Sequence, residues 1–314
     1  MNRTMVVSLG GNAILKHTEK GTAQEQFENV NETCHYILEL IKEGYHIAIT
    51  HGNGPQVGDI LLAYDLAKNT LPPMPLDVCV AQSQGMIGYM LQLSLKNMLK
   101  KLQMNKSVVT LLTQTLVHQE DSQFENPTKP IGPFYTALEA TKLRKERNWI
   151  IVNDSGRGYR RVVPSPIPIG FVEEGSIKTL FLEGTIVIAS GGGGIPVVIK
   201  EDGMLQGVEG VIDKDHAASH LASLIEAEIL LILTDVEKIS LYYNTPSQKF
   251  INKMTTTQAK KYLKEGQFPE GSMGPKVRSA INFLEKGGKK VIITSLGHAV
   301  DAVKGDAGTT ITLS

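Results

Sequence analysis

The chain has 314 residues, of which 41% are hydrophobic and 20% are charged. These are ordinary values for a globular protein, and they exclude the disordered, collagen-like and coiled-coil classes. The 32 lysines and arginines balance the 32 aspartates and glutamates, so no overall field favours binding to nucleic acid or to anionic lipid.

The apolar segments are short. The longest runs, residues 60–64 and 229–233, are far below the roughly 20 residues that a membrane span needs. Glycines interrupt the apolar stretch near the N-terminus, which argues against a signal peptide and predicts a cytoplasmic protein. The two cysteines, Cys34 and Cys79, are too few for a disulfide scaffold or a four-ligand zinc site, so we expect two free thiols.

Short β-branched segments alternate with longer helical patterns along the chain. The first half is predicted to contain strand 5–9, helix 24–43, strand 46–50, helices 57–67 and 77–102, and strand 107–113. The second half is predicted to contain strands 185–189 and 197–199, helix 215–227, strand 229–234, helix 272–286, and strands 289–294 and 309–313. This alternation predicts a mainly parallel sheet with helices on both faces and ligands beyond the carboxyl ends of its strands.

Residues 118–170 interrupt the alternation. Six prolines surround a single helical stretch, residues 135–147, which predicts an inserted subdomain that stands off the sheet. Its turns carry a positive cluster of Lys129, Arg157, Arg160 and Arg161. On charge alone, a solvated loop is the more ordinary explanation of this cluster, because most such residues are simply exposed.

Glycine is over-represented, with 30 residues, and four glycine-rich segments follow predicted strands. They are residues 10–13, 51–55, 190–196 and 271–276. Such segments expose backbone N–H groups that bind phosphate or carboxylate, often at a helix N-terminus. Each alone is simply a turn, but four at one edge of a sheet predict an anion site.

Several common motifs are excluded. Pro196 stands where a dinucleotide fingerprint needs its third glycine, and no phosphate-binding loop ending in Gly-Lys-Ser/Thr occurs. His216 and His220 are four residues apart but have no obvious third zinc ligand. The nucleophile elbow of serine hydrolases is also absent.

Three lysines lie in turns rich in proline, glycine or aspartate: Lys129, Lys214 and Lys276. Phosphoryl transfer needs cations around the transferred group more than it needs covalent chemistry. Asp213 and Asp215 flank Lys214. Each lysine alone could be a solvated side chain, but together they form a plausible charge array for phosphoryl transfer.

These segments resemble the carbamate kinases, a family of the amino-acid kinase superfamily, nearly end to end. The matching strings, in the family's order, are VVSLGGNAIL, ITHGNGPQVG, QSQGMIGYMLQ, NPTKPIGPFY, GRGYRRVVPSP, VIASGGGGIPVV, GVIDKDHAA, LTDV and GSMGPKV. The resemblance implies a three-layer α/β/α sandwich with a mainly parallel central sheet and a small protruding subdomain, assembled as a homodimer. It also implies one domain, residues 1–314, in which lobe 1–184 binds carbamate and carries a lid, residues 118–170, and lobe 185–314 binds nucleotide.

The implied reaction is reversible, Mg²⁺-dependent phosphoryl transfer between ATP and carbamate, giving ADP and carbamoyl phosphate. The resemblance also implies that the reaction proceeds toward ATP formation, at the end of arginine breakdown. By motif position, Lys129, Lys214 and Lys276 are the catalytic cations and Asp215 orients them. The implied substrate-binding residues are Gly10, Gly11, Asn12, Gly52, Asn53 and Gly54. The implied nucleotide-binding residues are Gly191, Gly192, Gly193, Gly194, Asp235, Met273, Gly274 and Lys276.

The chain departs from its relatives in three places. Acylphosphate-forming kinases of the superfamily usually carry a lysine where this chain has Ser8, so Lys129 on the lid is the implied substitute. Ser190 and Ile167 stand where many relatives have cysteine and lysine. Two alternatives remain open: a sibling kinase for another small carboxylate such as acetylglutamate, and a nucleotide-binding regulatory protein without turnover.

Overall fold

The computed structural model describes residues 3–16, 18–154 and 158–314, so Arg157 of the predicted positive cluster lies outside the described residues. The helices in those ranges are α1 (Ala23–Lys42), α2 (Gly54–Ala67), α3 (Leu76–Lys101), α4 (Ala137–Arg147), α5 (Glu174–Leu182), α6 (Lys214–Leu224), α7 (Thr256–Lys264), α8 (Met273–Glu285) and α9 (Ala299–Lys304). No helix among these residues is both long and apolar enough to cross a membrane.

The strands of the described residues form one large sheet and three small ones. The large sheet contains β1 (Arg3–Leu9), β2 (Tyr45–His51), β3 (Val108–Thr110), β9 (Ile186–Ile188), β12 (Ile229–Thr234), β15 (Lys253–Thr255), β16 (Lys290–Ser295) and β17 (Thr309–Thr312). The small sheets contain β4 (Gln114–Val117), β5 (Lys129–Tyr135), β6 (Ile151–Asn153), β7 (Tyr159–Val163), β8 (Pro168–Phe171), β10 (Ile195–Ile199), β11 (Leu205–Gly207), β13 (Ser240–Leu241) and β14 (Lys249–Phe250).

The large sheet has the order β15-β17-β16-β12-β1-β2-β9-β3. All its neighbouring strands are parallel except β16 and β17, which confirms the predicted mainly parallel sheet. The chain leaves β1 toward β2 and later returns to β12 on its other side. The winding direction therefore changes at β1, and a crevice for ligands is expected beyond its carboxyl end.

Side chains of β1 alternate between the two faces of the sheet because successive residues of a strand point in opposite directions. Met5, Val7 and Leu9 pack in a core with helices α1, α3 and α9. Val6 packs in the opposite core, with helices α5, α6, α7 and α8. Two apolar cores with one sheet between them confirm the three-layer α/β/α sandwich.

The predicted strand 107–113 is wrong in one respect, because the chain crosses between sheets there. β3 ends at Thr110, and β4 begins at Gln114 in a separate sheet of order β11-β10-β4-β8. At the crossing, Thr113 N–H donates to Gln84 Oε1 at 2.9 Å, and Gln84 Nε2 donates to the Thr113 carbonyl at 3.1 Å. The buried Gln84 side-chain amide thus satisfies the Thr113 N–H and adds to the bond that the Thr113 carbonyl accepts from the Ile195 backbone N–H at 2.8 Å. Hydrophobic patterning carries no signal for such a crossing between sheets.

The lid contains a sheet of its own. β5, β7 and β6 form an antiparallel sheet, joined between β5 and β6 by helix α4. Thr136 and Glu139 form a capping box at the start of α4, and Asn148 ends it in the left-handed conformation. This cap explains why the predicted helix 135–147 begins two residues later.

The lid lies directly on helix α2. A Cβ atom added to Gly58 of α2 would lie 2.0 Å from both Cα and N of Gly132 in β5. Because the obstructing atoms are backbone, any side chain at Gly58 must displace the lid strand.

We therefore expect Gly58→Ala to lower the free energy of unfolding by about 1–3 kcal/mol through overpacking, despite the better helix propensity of alanine. Gly85 is the matched control, because it lies within α3 with no heavy atom near a built Cβ. Gly85→Ala should instead raise stability, by up to about 1 kcal/mol. Urea unfolding of both variants measures these changes in the free energy of unfolding. Equal changes in the two variants would contradict the close approach of Gly58 to Gly132.

Candidate active site

Loops from several elements meet around one cavity of about 510 Å³ beyond the carboxyl ends of β1 and β12. The body of the protein contributes Gly10, Gly11, Asn12, Lys214, Asp235, Ser272 and Lys276 to its lining. The lid contributes Gly132, Pro133, Phe134 and Arg160. The predicted anion site and the predicted lid thus face each other across a single cavity.

A cluster of two lysines and one carboxylate lies at the bottom of this cavity. Lys214 Nζ lies 2.7 Å from Asp215 Oδ1, and Lys276 Nζ lies 3.1 Å from Asp215 Oδ2. Only 3% of the Asp215 side chain is exposed, against 12% and 13% for the two lysines. The carboxylate therefore holds two ammonium groups side by side while they remain accessible from the cavity.

Ser8 completes this cluster. It faces α6 from β1, and Lys214 Nζ donates to its Oγ at 3.1 Å. The residue that stands in place of the usual lysine of acylphosphate-forming relatives thus contacts the Lys214 ammonium directly. A lysine there would place a third positive charge beside Lys214 and Lys276.

Helix geometry explains how the two lysines meet although 62 positions separate them in the sequence. Lys214 is the first residue of α6, and Lys276 lies in the first turn of α8. The two helices pack together, with Asn282 Nδ2 donating to Ser219 Oγ at 3.1 Å. Their N-termini carry positive partial charge, which adds to the lysines in attracting an anion.

The lid lysine contacts a different carboxylate. Lys129 Nζ lies 2.7 Å from Asp213 Oδ2, while Asp213 Oδ1 accepts from the backbone N–H of Asp215 at 2.8 Å. Asp213 is thus the N-cap of α6 and an ion-pair partner of the lid at once. The structure brings all three predicted catalytic lysines to the N-terminus of α6 or its immediate neighbourhood.

Burial and charge shift the pKa values of this cluster. Burial opposes ionisation of Asp215, but the Lys214 and Lys276 charges outweigh it and hold the pKa of Asp215 below its usual value. Asp213 behaves likewise, with Lys129 as the main opposing charge that lowers its pKa. Burial opposes the charge of Lys276, whose pKa is nonetheless raised by Asp215 and Asp213. Burial lowers the pKa of Lys214, against the opposing effect of the Asp215 charge.

The segment after β2 is partly buried, with Asn53 enclosed and Gly52 and Gly54 half-buried. Asn53 is 2% exposed, and its Nδ2 donates to Ser83 Oγ at 2.8 Å. Gly52 lies beside the Lys214 side chain, since a Cβ there would be 3.4 Å from Lys214 Cδ. Of the predicted substrate residues, Gly52 therefore lies beside the lysine cluster and Asn53 is buried, whereas Gly54 faces the lid, since a Cβ there would lie 3.8 Å from the Pro130 carbonyl oxygen.

The predicted nucleotide residues occupy two separate places. Gly191, Gly192, Gly193 and Gly194 form a buried turn, where added Cβ atoms would collide with His51, Asn53, Ile212 and Thr115. This turn therefore packs against the β2 loop. Asp235 lines the cavity and accepts from Asn12 Nδ2 at 2.7 Å, whereas Met273 and Gly274 begin α8 beside Lys276 without lining the cavity.

Sequence reasoning missed His51, which looked like part of a polar turn. It is 1% exposed, and its Nδ1 donates to the Gly52 carbonyl at 2.9 Å. Burial lowers the pKa of His51 to about 4, against the effect of that hydrogen bond and with a further contribution from the Lys214 charge. A neutral imidazole therefore supports the β2 loop.

Because His51 is neutral when folded and has an ordinary pKa when unfolded, acid should favour unfolding through this residue. Between pH 6.5 and about 4 the unfolded chain binds the extra proton, so stability falls as the pH falls. The expected loss from this residue is about 2 kcal/mol between pH 7.5 and pH 5. Urea unfolding at both pH values should show a smaller loss in His51→Asn, and an identical loss would contradict the burial argument.

Two further charged residues line the cavity, Asp59 and Arg160, and only Arg160 was singled out from the sequence. Burial raises the pKa of Asp59, on α2, against the lowering effect of the Arg160 charge. Arg160 of the lid donates from Nε to the Gly132 carbonyl at 3.0 Å and lies 5.2 Å over the Phe134 ring. Its membership of a charged cluster was predicted, but its position in the cavity depends on the folding of the lid.

The cavity suits a magnesium ion that arrives with phosphate. No group of three or more metal-ligating side chains occurs in residues 3–16, 18–154 and 158–314. Mg²⁺ commonly binds through one or two carboxylates together with substrate phosphates and water. The carboxylate of Asp235 at the cavity wall fits that mode, since Asp215 is already held by two lysines.

The chain belongs to the amino acid kinase family, whose model matches residues 3–295. Carbamate kinase from Pyrococcus furiosus is 50% identical over 313 residues, covering 99% of each chain. Carbamate kinase from Clostridium perfringens is 48% identical over 312 residues, covering 98% of this chain and 99% of that one. These full-length relatives place the chain among the carbamate kinases of that family.

Solved structures agree with this assignment. Carbamate kinase from Giardia lamblia bound to citric acid superposes with a TM-score of 0.95 at 44% identity, covering 100% of this chain and 99% of that one. The same enzyme bound to AMP-PNP, an ATP analogue, superposes with a TM-score of 0.91 over the same shares. The fold therefore matches a kinase structure that binds a nucleotide analogue.

Proposed function

We propose that this chain catalyses the reversible, Mg²⁺-dependent transfer of a phosphoryl group between carbamoyl phosphate and ADP, giving carbamate and ATP. The observation that carries the proposal is the pair of ammonium groups held by one buried carboxylate, at the N-termini of two helices that border the cavity. That arrangement matches the charge of a phosphoryl group in flight between two anions.

The roles of the residues follow from charge and position. Lys214 and Lys276 neutralise the oxygens of the transferred phosphoryl group, Lys129 adds a third positive charge from the lid, and Asp215 fixes the first two lysines. No general base is needed, because the attacking carbamate oxygen is already an anion. The remaining barrier is the approach of two mutually repelling anions, which fixed cations and proximity reduce.

Substrates are proposed to lie on either side of the lysine cluster. The loops that carry Gly10, Gly11, Asn12, Gly52, Asn53 and Gly54 would hold the carbamoyl end, with the buried loop residues supporting those at the surface. Asp235 and the start of α8, with Met273 and Gly274, would border the nucleotide, and Gly191 to Gly194 would support the loops between the two substrates. Mg²⁺, held by the nucleotide phosphates and Asp235, would supply further neutralisation of phosphate charge.

The direct test is ATP formation from ADP and carbamoyl phosphate with Mg²⁺, beside a no-enzyme control and a reaction with acetyl phosphate. Rapid synthesis with carbamoyl phosphate that EDTA abolishes is the expected result. Nucleotide binding without ATP synthesis would overturn the proposal in favour of the inactive regulator. Turnover with acetylglutamate and ATP instead would favour the sibling kinase.

The proposal includes a homodimer. β3 is an edge strand of the large sheet within the described residues, and a groove beside it is lined by the exposed side chains of Tyr89 and Leu93. An apolar groove along a sheet edge suits association with a second copy. Light scattering should report a dimer that Leu93→Asp weakens, whereas Leu313→Asp, at an exposed leucine elsewhere, should not. A monomeric parent chain would overturn this part of the proposal.

Cellular role and lobe organisation complete the proposal. We place the enzyme in the cytoplasm, at the end of arginine breakdown, where the high transfer potential of carbamoyl phosphate favours ATP formation.

Residues 1–184 would bind the carbamoyl substrate and residues 185–314 the nucleotide. β9 follows that boundary and pairs with β2 and β3, so the two lobes share the large sheet. Fractionation of cells tests the cytoplasmic location. ADP binding by variants of Asp235 tests the assignment of the nucleotide to residues 185–314.

A further inference from the structure

The ion pair between Lys129 and Asp213 joins the lid to the body of the protein. Lys129 begins β5 of the lid, and Asp213 precedes α6, so the contact spans 84 positions of sequence. Both side chains are largely removed from solvent, with exposures of 25% and 18%. A pair shielded to this degree is screened less by salt than the exposed pairs elsewhere on the surface.

The two oxygens of Asp213 have separate partners. Oδ1 accepts from the Asp215 backbone N–H at 2.8 Å and caps α6, which leaves Oδ2 to accept from Lys129 at 2.7 Å. Because Asp213 is anchored by the cap, its second oxygen has a fixed position close to Lys214 and Asp215. A lysine that pairs with it is thereby brought to the catalytic cluster.

We propose that Asp213 is a positioning residue that docks the lid, drawing Lys129 to the N-terminus of α6 so that this lysine reaches the transferred phosphoryl group. The inference rests on the proposed function for its kinetic consequence. An incoming phosphoryl group competes with Asp213 for the same ammonium, so Asp213 supplies the counter-charge whenever the phosphate is absent.

Asparagine separates docking from capping. Asn is as good an N-cap as Asp, so Asp213→Asn keeps the start of α6 but removes the charge that attracts Lys129. Asp213→Ala removes both and should also lower the urea midpoint of unfolding. The control is Asp202→Asn, because Asp202 is an exposed carboxylate with its own lysine partner, Lys200, at 3.3 Å.

The lone tryptophan offers a readout of docking that does not depend on turnover. Trp149 belongs to the lid and lines a small cavity with Gly58 and Leu61 of α2, while Arg161 lies 4.6 Å over its ring. Release of the lid would expose this ring. We expect Asp213→Asn and Lys129→Ala to raise the acrylamide quenching constant of Trp149 fluorescence, with no further increase in the double variant.

The kinetic test is a double-mutant cycle in the direction of ATP formation. We expect Asp213→Asn to lower kcat/KM for carbamoyl phosphate about tenfold in the parent chain and to have almost no effect in the Lys129→Ala background. Asp202→Asn should leave kcat/KM unchanged. The ADP dissociation constant should also stay unchanged, because neither Lys129 nor Asp213 is among the residues proposed to border the nucleotide.

Each other outcome overturns the proposal. An unchanged kcat/KM in Asp213→Asn would mean that the residue only caps α6, and an equal loss in both backgrounds would mean that it acts independently of Lys129. Unchanged Trp149 quenching would show that the pair does not hold the lid. If the parent chain makes no ATP, the proposed function fails, whereas the quenching comparison still decides whether Asp213 docks the lid.

Discussion

Asp215→Asn is expected to lower kcat for ATP formation by about 100- to 1000-fold and to destabilise the protein by about 3–5 kcal/mol. The carboxylate faces Lys214 through one oxygen and Lys276 through the other, and an amide offers only one acceptor. Removing its charge leaves two neighbouring ammonium groups that repel each other in a largely buried site.

The two expected losses have separate measurements. Steady-state ATP formation gives kcat, and urea unfolding at pH 7 gives the free energy of unfolding. Glu285→Gln is the control, since Glu285 forms an exposed ion pair with Lys260 and should change stability by less than about 0.5 kcal/mol. A variant of Asp215 with parental kcat and reduced stability would restrict this carboxylate to a structural role.

Lys129→Ala is expected to raise KM for carbamoyl phosphate and to lower kcat about a hundredfold, equivalent to about 3 kcal/mol of transition-state stabilisation. The substitution also leaves the largely buried Asp213 carboxylate without its ion-pair partner, so the free energy of unfolding should fall as well. Loss of one cation among three explains why activity falls without vanishing.

Initial rates over a range of carbamoyl phosphate concentrations separate the two kinetic effects. Lys200→Ala is the matched control, because Lys200 is an exposed lysine whose partner, Asp202, lies in an exposed turn. It should retain parental kcat and KM. Near-parental kinetics in Lys129→Ala would mean that this lysine is not catalytic and that only Lys214 and Lys276 neutralise the transferred phosphoryl group.

Much of the fold could be predicted from local patterns, because alternating apolar strands and capped helices have short-range causes. The glycine-rich segments 10–13, 51–55 and 190–196 follow strands of the large sheet as predicted, whereas residues 271–276 follow helix α7 and not a strand, which corrects the fourth prediction. Lys214 and Lys276 line one cavity, as the charge-array hypothesis expected. The hydrogen bonds within the cluster could not be predicted, because Asp215 meets Lys276 only through the packing of α6 on α8.

Residues whose role depends on burial were the ones that sequence reasoning missed. His51 lies among glycine and asparagine, a context typical of an exposed turn. The turn of residues 190–194 packs against its side chain and buries it. Asp213 looked like a simple flanking charge, because the approach of a lid lysine 84 positions earlier leaves no trace in local sequence.

Because the winding direction reverses at β1, the elements on the two sides of this strand can change independently during evolution. Connections on one side of β1 carry the lid and the loops that are proposed to hold the carbamoyl substrate, and those on the other side carry Asp235 and the start of α8. The lid is a single insertion between β4 and β8, so under the proposed function its exchange would change the charge that Lys129 supplies without rebuilding the elements that carry Lys214 and Lys276. Sequence change can therefore be concentrated in about fifty residues while the scaffold that positions Lys214 and Lys276 stays constant.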